Sequence, residues 1–471
     1  MNEETSSWSK NNLKNLISST NETFIREDLT SFLKIPSYTS NREAIKEAKN
    51  YITSYISNFC ENITEIKGEI NPLLLAEVNG EVKEKLLIYM MYDTQPIHNE
   101  REWIKKPFEA EITDLSKPLD KIGKVIIARG AYNSKTPLLC FLNVVKLLKE
   151  EEKLPISLLL LIDGEEEIGS PTLLKSLKIK SNTFNSCVDA YYPSLKQDLD
   201  GNSVIKLGYK GILSLTIKVF SNNKESHSSF SGIIPNPSVD LVSILNLIYN
   251  NNNFKIKCLG NPYKLTSDEE TLFNASLENL NIEKVKRKAG IEQTNEENIQ
   301  KAFFNYLFKP TFNISTLKSG FLKEGIKNYV PSQAICNIDI RFAHDVSTEE
   351  IFTEIKQKIK DFATISKSHV EITKNIGYES SRIKKDSTLV KSLVKSASLL
   401  GFSTKIWPLS AAAAPLSRIQ KELGISFLTG GLGIGGYAHA PNEFVQVKSI
   451  QNTRLSNCLF LKNYSDLYSE I

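Results

Sequence analysis

The sequence predicts an α/β fold with a mostly parallel sheet, interrupted by an inserted α+β domain. Two observations carry this. Up to about residue 206, short apolar runs alternate with amphipathic stretches, the pattern of strands buried on both faces between helices. From Leu207 the runs instead alternate apolar and polar residues, as in strands with one covered face, and after about residue 383 the first style returns. The expected domains are therefore 1–206 plus 384–471, and an inserted 207–383. The length of 471 residues allows about two to four domains.

In chain order, Glu43–Phe59 has apolar residues at helical spacing. Leu73–Val78 and Lys85–Tyr92 read as strands, the second buried on both faces. Thr136-Pro137 opens a helix that runs through Leu148, with proline in the first turn, where no backbone donor is needed. Ile156–Ile162 is another buried strand, and Pro171–Leu177 starts a helix. In the insert, Gly211–Ser221 alternates as a half-covered strand, Ser238–Tyr249 reads as a helix and Asn250–Asn253 as a loop. Residues 265–305 are charged and helical in pattern. Ala334–Phe342 and His369–Thr373 read as strands around an amphipathic helix at Thr348–Phe362.

Composition narrows the function. Hydrophobic residues are 41% and charged residues 24%, ordinary for a globular chain. Fifty-eight Lys plus Arg against 54 Asp plus Glu leave a formal charge of +4, which gives no footprint for nucleic acid or a membrane surface. The longest strongly apolar run, Leu154–Ile162, falls far short of the ~18–20 residues that span a bilayer. The polar start MNEETSSWSKNN has no apolar core of a secretory signal, and the six scattered cysteines form no CxxC, so a reduced, cytoplasmic protein is expected.

Three stretches could carry chemistry. DGEEEIGS (Asp163–Ser170) sets consecutive carboxylates after a buried strand; they suit a cation or a reaction, or equally a solvated turn near a helix N-terminus. AHAPNE (Ala438–Glu443) places His439 beside a glycine-rich loop, as a ligand or as a satisfied imidazole. ESHSS around His227 is equally open. GGLGIGG lacks the G-x-G-x-x-G pattern that opens a helix, so it is not a dinucleotide fingerprint.

Taken in order, these stretches resemble the metallopeptidase family that contains carnosinase, other dinuclear dipeptidases, acetylornithine deacetylase and succinyl-diaminopimelate desuccinylase. YDTQP (Tyr92–Pro96) with Trp103 and PFEA (Pro107–Ala110), ARGAYNSK (Ala128–Lys135) and GEEEIGS resemble its first three signatures. GIIPNP, KPTFNI, VPSQA, DIRF and AHAPNE follow in order, so the resemblance covers nearly the whole chain. It implies a catalytic α/β domain interrupted by an α+β lid that pairs two subunits.

The resemblance also implies five ligands for two metal ions ~3.5–4 Å apart that acidify a bridging water. The matching positions here are Met91 for the first His, Asn133 for the bridging Asp, Glu167 for the Glu, about Leu195 for the second Asp, and His439 for the last His. Three of the five are replaced. A thioether at Met91 suits zinc or manganese poorly, and Leu195 offers no donor. Glu166 matches the general base and Asp93 the residue that orients the first His. In the lid, His227 and Arg341 match the substrate-binding His and Arg, and LSAAAAP (Leu409–Pro415) matches the substrate loop, with added methyls.

Two functions are therefore expected to compete. One is a pseudoenzyme with a binding or assembly role, which keeps the fold, the dimerisation lid and a cleft for a peptide or N-acyl amino acid. The other is a single-metal peptidase or amidohydrolase using Glu167, His439 and Asn133, with Glu166 as base. The expected cofactor is none, or one weakly bound zinc or manganese ion, because a catalytic zinc usually needs three good protein ligands. The expected partner is a second copy through the lid, or an active paralogue, with no nucleic acid and no membrane.

Overall fold

A computed structural model describes residues 10–470, apart from 180, 279, 283–285, 287–290 and 415. It divides into two compact units. The first takes the described residues of Met1–Leu207, Ile383–Ile406 and Ile419–Ile471; the second takes those of Gly208–Arg382 and Trp407–Arg418.

The first unit is built on a six-stranded sheet in the order Asn62–Ile66, Leu73–Val78, Ile156–Asp163, Val82–Met91, Cys187–Pro193, Ser426–Gly430. The first two pairings are antiparallel and the other three parallel. Every residue of Ile156–Asp163 is buried, as its unbroken apolar run requires. Helix Lys135–Glu150 packs against helix Val447–Ser469. The parallel pairing brings Met91 into register with Asp163, so Asp93 and the carboxylates after Asp163 emerge at the same end of the sheet. A smaller sheet pairs Phe444–Gln446 with Val125–Ile127, which brings AHAPNE beside ARGAYNSK across more than 300 residues of chain.

The second unit holds a four-stranded antiparallel sheet in the order Thr311–Ser319, Gln333–Phe342, Gly211–Phe220, His369–Tyr378. Gly211–Phe220 buries every second residue, as its alternating sequence requires. Leu215 and Ile338 of that face pack with Ile244 of helix Pro237–Ile248 and Ile355 of helix Thr348–Ala363.

Two expectations differ from the structure. The polar tract at Asn250–Asn253 is not an open loop: Tyr249–Asn250 pairs with Asn253–Phe254 in a tight hairpin. Asn251 and Asn252 supply φ of 52° and 59°, and asparagine tolerates that left-handed region better than most residues. The return to the first unit is also not a single step near residue 384, since Trp407–Arg418 belongs to the second unit. Leu409 is buried there among Phe273, Phe303 and Leu307, with Trp407 packed on the same cluster. Arg418 pairs with Glu379 at 3.0 Å. Of the charged 265–305 stretch, helices Ser267–Glu278 and Ile299–Leu307 are described, while 279, 283–285 and 287–290 lie outside the described residues. Among the described residues no helix is long and apolar enough to cross a membrane.

Candidate functional site

Four segments of the first unit meet here. They are the chain just past strand Val82–Met91, the turn before helix Lys135–Glu150, the short turn Glu166–Ile168, and the loop that carries His439. Glu167 is their common point. Its Oε1 accepts from Asn133 Nδ2 at 3.1 Å and lies 3.2 Å from His439 Nε2. Its Oε2 accepts from Gln95 Nε2 at 2.8 Å. The Asn133 amide is 3.2 Å from His439 Nε2. Three side chains thus surround one carboxylate, and the contact with Glu167 raises the pKa of the half-exposed His439.

Asp93 lies beneath, fully buried. Its Oδ1 accepts the Glu166 backbone N–H at 3.3 Å and its Oδ2 that of Glu167 at 3.0 Å. Burial, then the charges of Asp163, Glu166 and Glu167, hold its carboxyl well above the usual carboxylate range. Glu166, half-buried, is pushed up to about 8, first by burial and then by Glu167 and Asp163. A carboxyl that takes up protons near neutrality suits a general base or acid, and it equally relieves crowding among three carboxylates.

The remaining sequence candidates take no part in these contacts. Met91 and Leu195 are buried, at 2% and 1% exposure. Leu195 packs against the backbone of Gly433, where a Cβ would meet its Cδ2 at 2.4 Å and where φ is +133°. His227 and Arg341 lie in the second unit on different elements. His227 is exposed, and its Nδ1 is 2.9 Å from Ser229 Oγ. Arg341 Nε is 3.7 Å from Asp339. Of the five matched ligand positions, Glu167, His439 and Asn133 come together, and Asn133 could offer a cation only its carbonyl oxygen. Among the described residues no group of three or more His, Cys, Asp or Glu side chains is arranged to hold a metal ion.

Two participants have no role in the sequence reading. Gln95 lies within YDTQP, and Glu443 closes AHAPNE. Glu443 Oε1 accepts the backbone N–H groups of Tyr132 and Asn133 at 3.0 and 2.8 Å, and its Oε2 pairs with Arg129 at 2.8 Å. Their position inside the motifs was the available signal, but neither matched a ligand position.

Residues 87–460 match the model of Peptidase family M20/M25/M40. The chain belongs to this family. Within M20/M25/M40, it is 23% identical over 474 residues to the Cys-Gly metallodipeptidase DUG1 of Candida albicans, a match that covers 94% of each chain. It is 22% identical over 296 residues to the Beta-Ala-His dipeptidase of Rattus norvegicus; that match takes in 61% of this chain and 58% of the other, less than two thirds of that protein's length. Among solved structures it is similar to the M20 family metallo-carboxypeptidase Sso-CP2 of Sulfolobus solfataricus, with a TM-score of 0.83 and 27% identity over 93% of this chain and 98% of that one. The di-peptidase Dug1p of Saccharomyces cerevisiae gives 0.79 and 20% identity over 98% and 99%. The M20/M25/M40 fold is therefore mixed α/β with a mostly parallel central sheet, as the sequence predicts.

Proposed function

We propose that this chain is a member of family M20/M25/M40 that binds a peptide or N-acyl amino acid without hydrolysing it through a metal pair. The observation that carries this reading is the state of Glu167: both its oxygens are engaged by Gln95, Asn133 and His439. The positions matching the other ligands, Met91 and Leu195, are buried side chains with no oxygen or nitrogen to offer. This donor set does not fit two metal ions, because two positions have no hard donor and the bridging one is neutral. The ligand class follows the relatives, which are named as dipeptidases. Glu166 has no acidified water to deprotonate in this reading, and an unassisted water holds its proton too tightly for a carboxylate to take it.

The proposed assembly is a homodimer through the second unit. Helix Pro237–Ile248 is apolar on two sides: Leu241 and Ile244 are buried, while Val239 and Val242 are exposed. Edge strand Thr311–Ser319 exposes Ile314 and Leu317, and Ser238 Oγ lies 2.6 Å from Ser319 Oγ, so the helix and the strand end meet. An exposed apolar helix side beside an edge strand suits pairing across a two-fold axis. The proposed compartment is the cytoplasm, in keeping with six free cysteines.

The test is metal content by elemental analysis together with dipeptide and N-acyl amino acid hydrolysis in added zinc or manganese. Well under two equivalents of metal, lost to mild chelation, and no turnover are expected. Turnover that Glu166→Gln abolishes would overturn the reading in favour of a single metal on Glu167, His439 and Asn133. Two tightly held ions would show that the ligand positions are misassigned.

A further inference from the structure

We infer that the buried pair Arg129–Glu443 is the positioning element that fixes where His439 and Asn133 stand, whatever the site binds. The need for such an element is visible in the backbone. Tyr437, His439 and Asn442 all have positive φ, at 58°, 63° and 64°. Non-glycine residues held there cost up to about 1–3 kcal/mol each, least for asparagine, and persist where the surroundings over-determine them. A loop with three such residues in six does not keep its shape unaided, yet it delivers His439 Nε2 to within 3.2 Å of both Glu167 and Asn133.

The pair supplies the restraint at both ends of the contact. On the loop side, Arg129 Nη1 donates to Ala440 O at 3.3 Å, inside the strained stretch, and to Glu443 Oε2 at its end. On the Asn133 side, Glu443 Oε1 accepts the N–H groups of Tyr132 and Asn133. The Glu443 backbone carbonyl also accepts the N–H of Ala128 at 3.0 Å. Arg129 and Glu443 are 3% and 1% exposed, and the guanidinium lies 5.2 Å from the centre of the Trp103 ring. One carboxylate, carried at the end of the His439 loop, is thus the acceptor for three donors of a segment about 300 residues earlier in sequence. A buried ion pair is a poor source of net stability, but a placement that separates its partners leaves a buried charge unpaired.

Glu443 and Arg129 are positioning residues and touch no ligand in this scheme. The test compares Arg129→Met/Glu443→Met, which removes both charges and leaves neither orphaned, with Glu443→Gln, which keeps an acceptor oxygen. The chain has five histidines, so the His439 ring signal is assignable by its loss in His439→Gln. In the double variant that signal should move, at fixed pH, to the position of a solvated imidazole. Exchange of the Tyr132 and Asn133 amide protons should speed up by roughly 10–100-fold. Glu443→Gln can keep the two amides on its one oxygen, holding their exchange within about threefold, but it leaves Arg129 without its carboxylate, so the His439 signal should move part of the way. Asn143→Ala, which disturbs the buried contact with Arg454 elsewhere in the unit, should lower the melting temperature without moving the His439 signal. A folded double variant with an unmoved His439 signal overturns the inference. Should neither pair variant fold, the unmodified chain decides: the Ala128, Tyr132 and Asn133 amides should exchange in one common opening, and separate, unequal opening of the three overturns it.

Discussion

Asp93 accepts the backbone N–H of Glu167 through Oδ2, at 3.0 Å, while its Oδ1 takes that of Glu166. The side chain that matches the family's orienter of a histidine thus holds up the turn that carries both glutamates. Asp93→Ala should orphan two donors, and each buried orphan costs about 1–3 kcal/mol. Asp93→Asn keeps one acceptor oxygen, and should cost about half as much. Urea unfolding midpoints at neutral pH provide the check.

Met91→His, Asn133→Asp and Leu195→Asp together rebuild the five ligand positions. Without metal, a carboxylate at the buried Leu195 position beside Gly433 is uncompensated, and such charges cost roughly 3–5 kcal/mol. The triple variant should therefore melt below the parent in chelator and rise sharply with added zinc, while the parent hardly moves. Scanning calorimetry with and without zinc reads this, and elemental analysis counts the ions. A variant that folds but shows no zinc-dependent shift would mean the cleft has been reshaped for another use.

Lys210 gives a pH signature in the second unit. It is buried and donates to the carbonyls of Tyr306 and Lys309 at 2.9 and 2.8 Å, at the end of helix Ile299–Leu307. Burial, then the charges of Arg341 and Arg382, lower its pKa from 10.5 to about 7. Between those two values the unfolded chain holds a proton that the folded chain has released. Stability from this group therefore rises with pH across that window and is lost as pH falls towards 7. The stability of Lys210→Met minus that of the parent should fall as pH rises from 7 to 10, measured by denaturant unfolding at several pH values.

Leu317→Lys with Val242→Lys places two charges on the apolar face of the second unit. Both side chains are exposed, so neither change should disturb folding. The parent should show a dimer mass by light scattering at micromolar concentration and the double variant a monomer mass. A monomeric parent would remove the dimer from the proposal.

The central strands were legible because their apolar runs are continuous, and Leu73–Val78 spans the expected residues. The hairpin at Tyr249–Phe254 was not, since four consecutive asparagines carry no apolar alternation and only backbone pairing reveals the turn. The allegiance of Trp407–Arg418 was hidden too: Leu409 and Trp407 read as ordinary apolar residues, and which core they enter depends on contacts across about 100 residues of chain. In the site, the types and order of the motif residues pointed to Glu166, Glu167, His439 and Asn133. Gln95 and Glu443 stayed silent, because an amide that blocks a carboxylate and a carboxylate that takes backbone donors have no spacing rule of their own.

The excursion of Trp407–Arg418 into the second unit bears on modularity. A simple insert can be excised or exchanged as one cassette, with one entry and one exit. Here a second, short thread is sewn in, and its backbone accepts the Lys210 N–H through Ser410 O and Ala412 O at 3.1 Å each. Cutting out residues 208–382 alone would leave the Phe273–Phe303 cluster without its plug and Lys210 without those acceptors. Shuffling this unit among relatives therefore requires two coordinated crossovers, and a recombination that moves only the longer piece yields a chain whose halves no longer match.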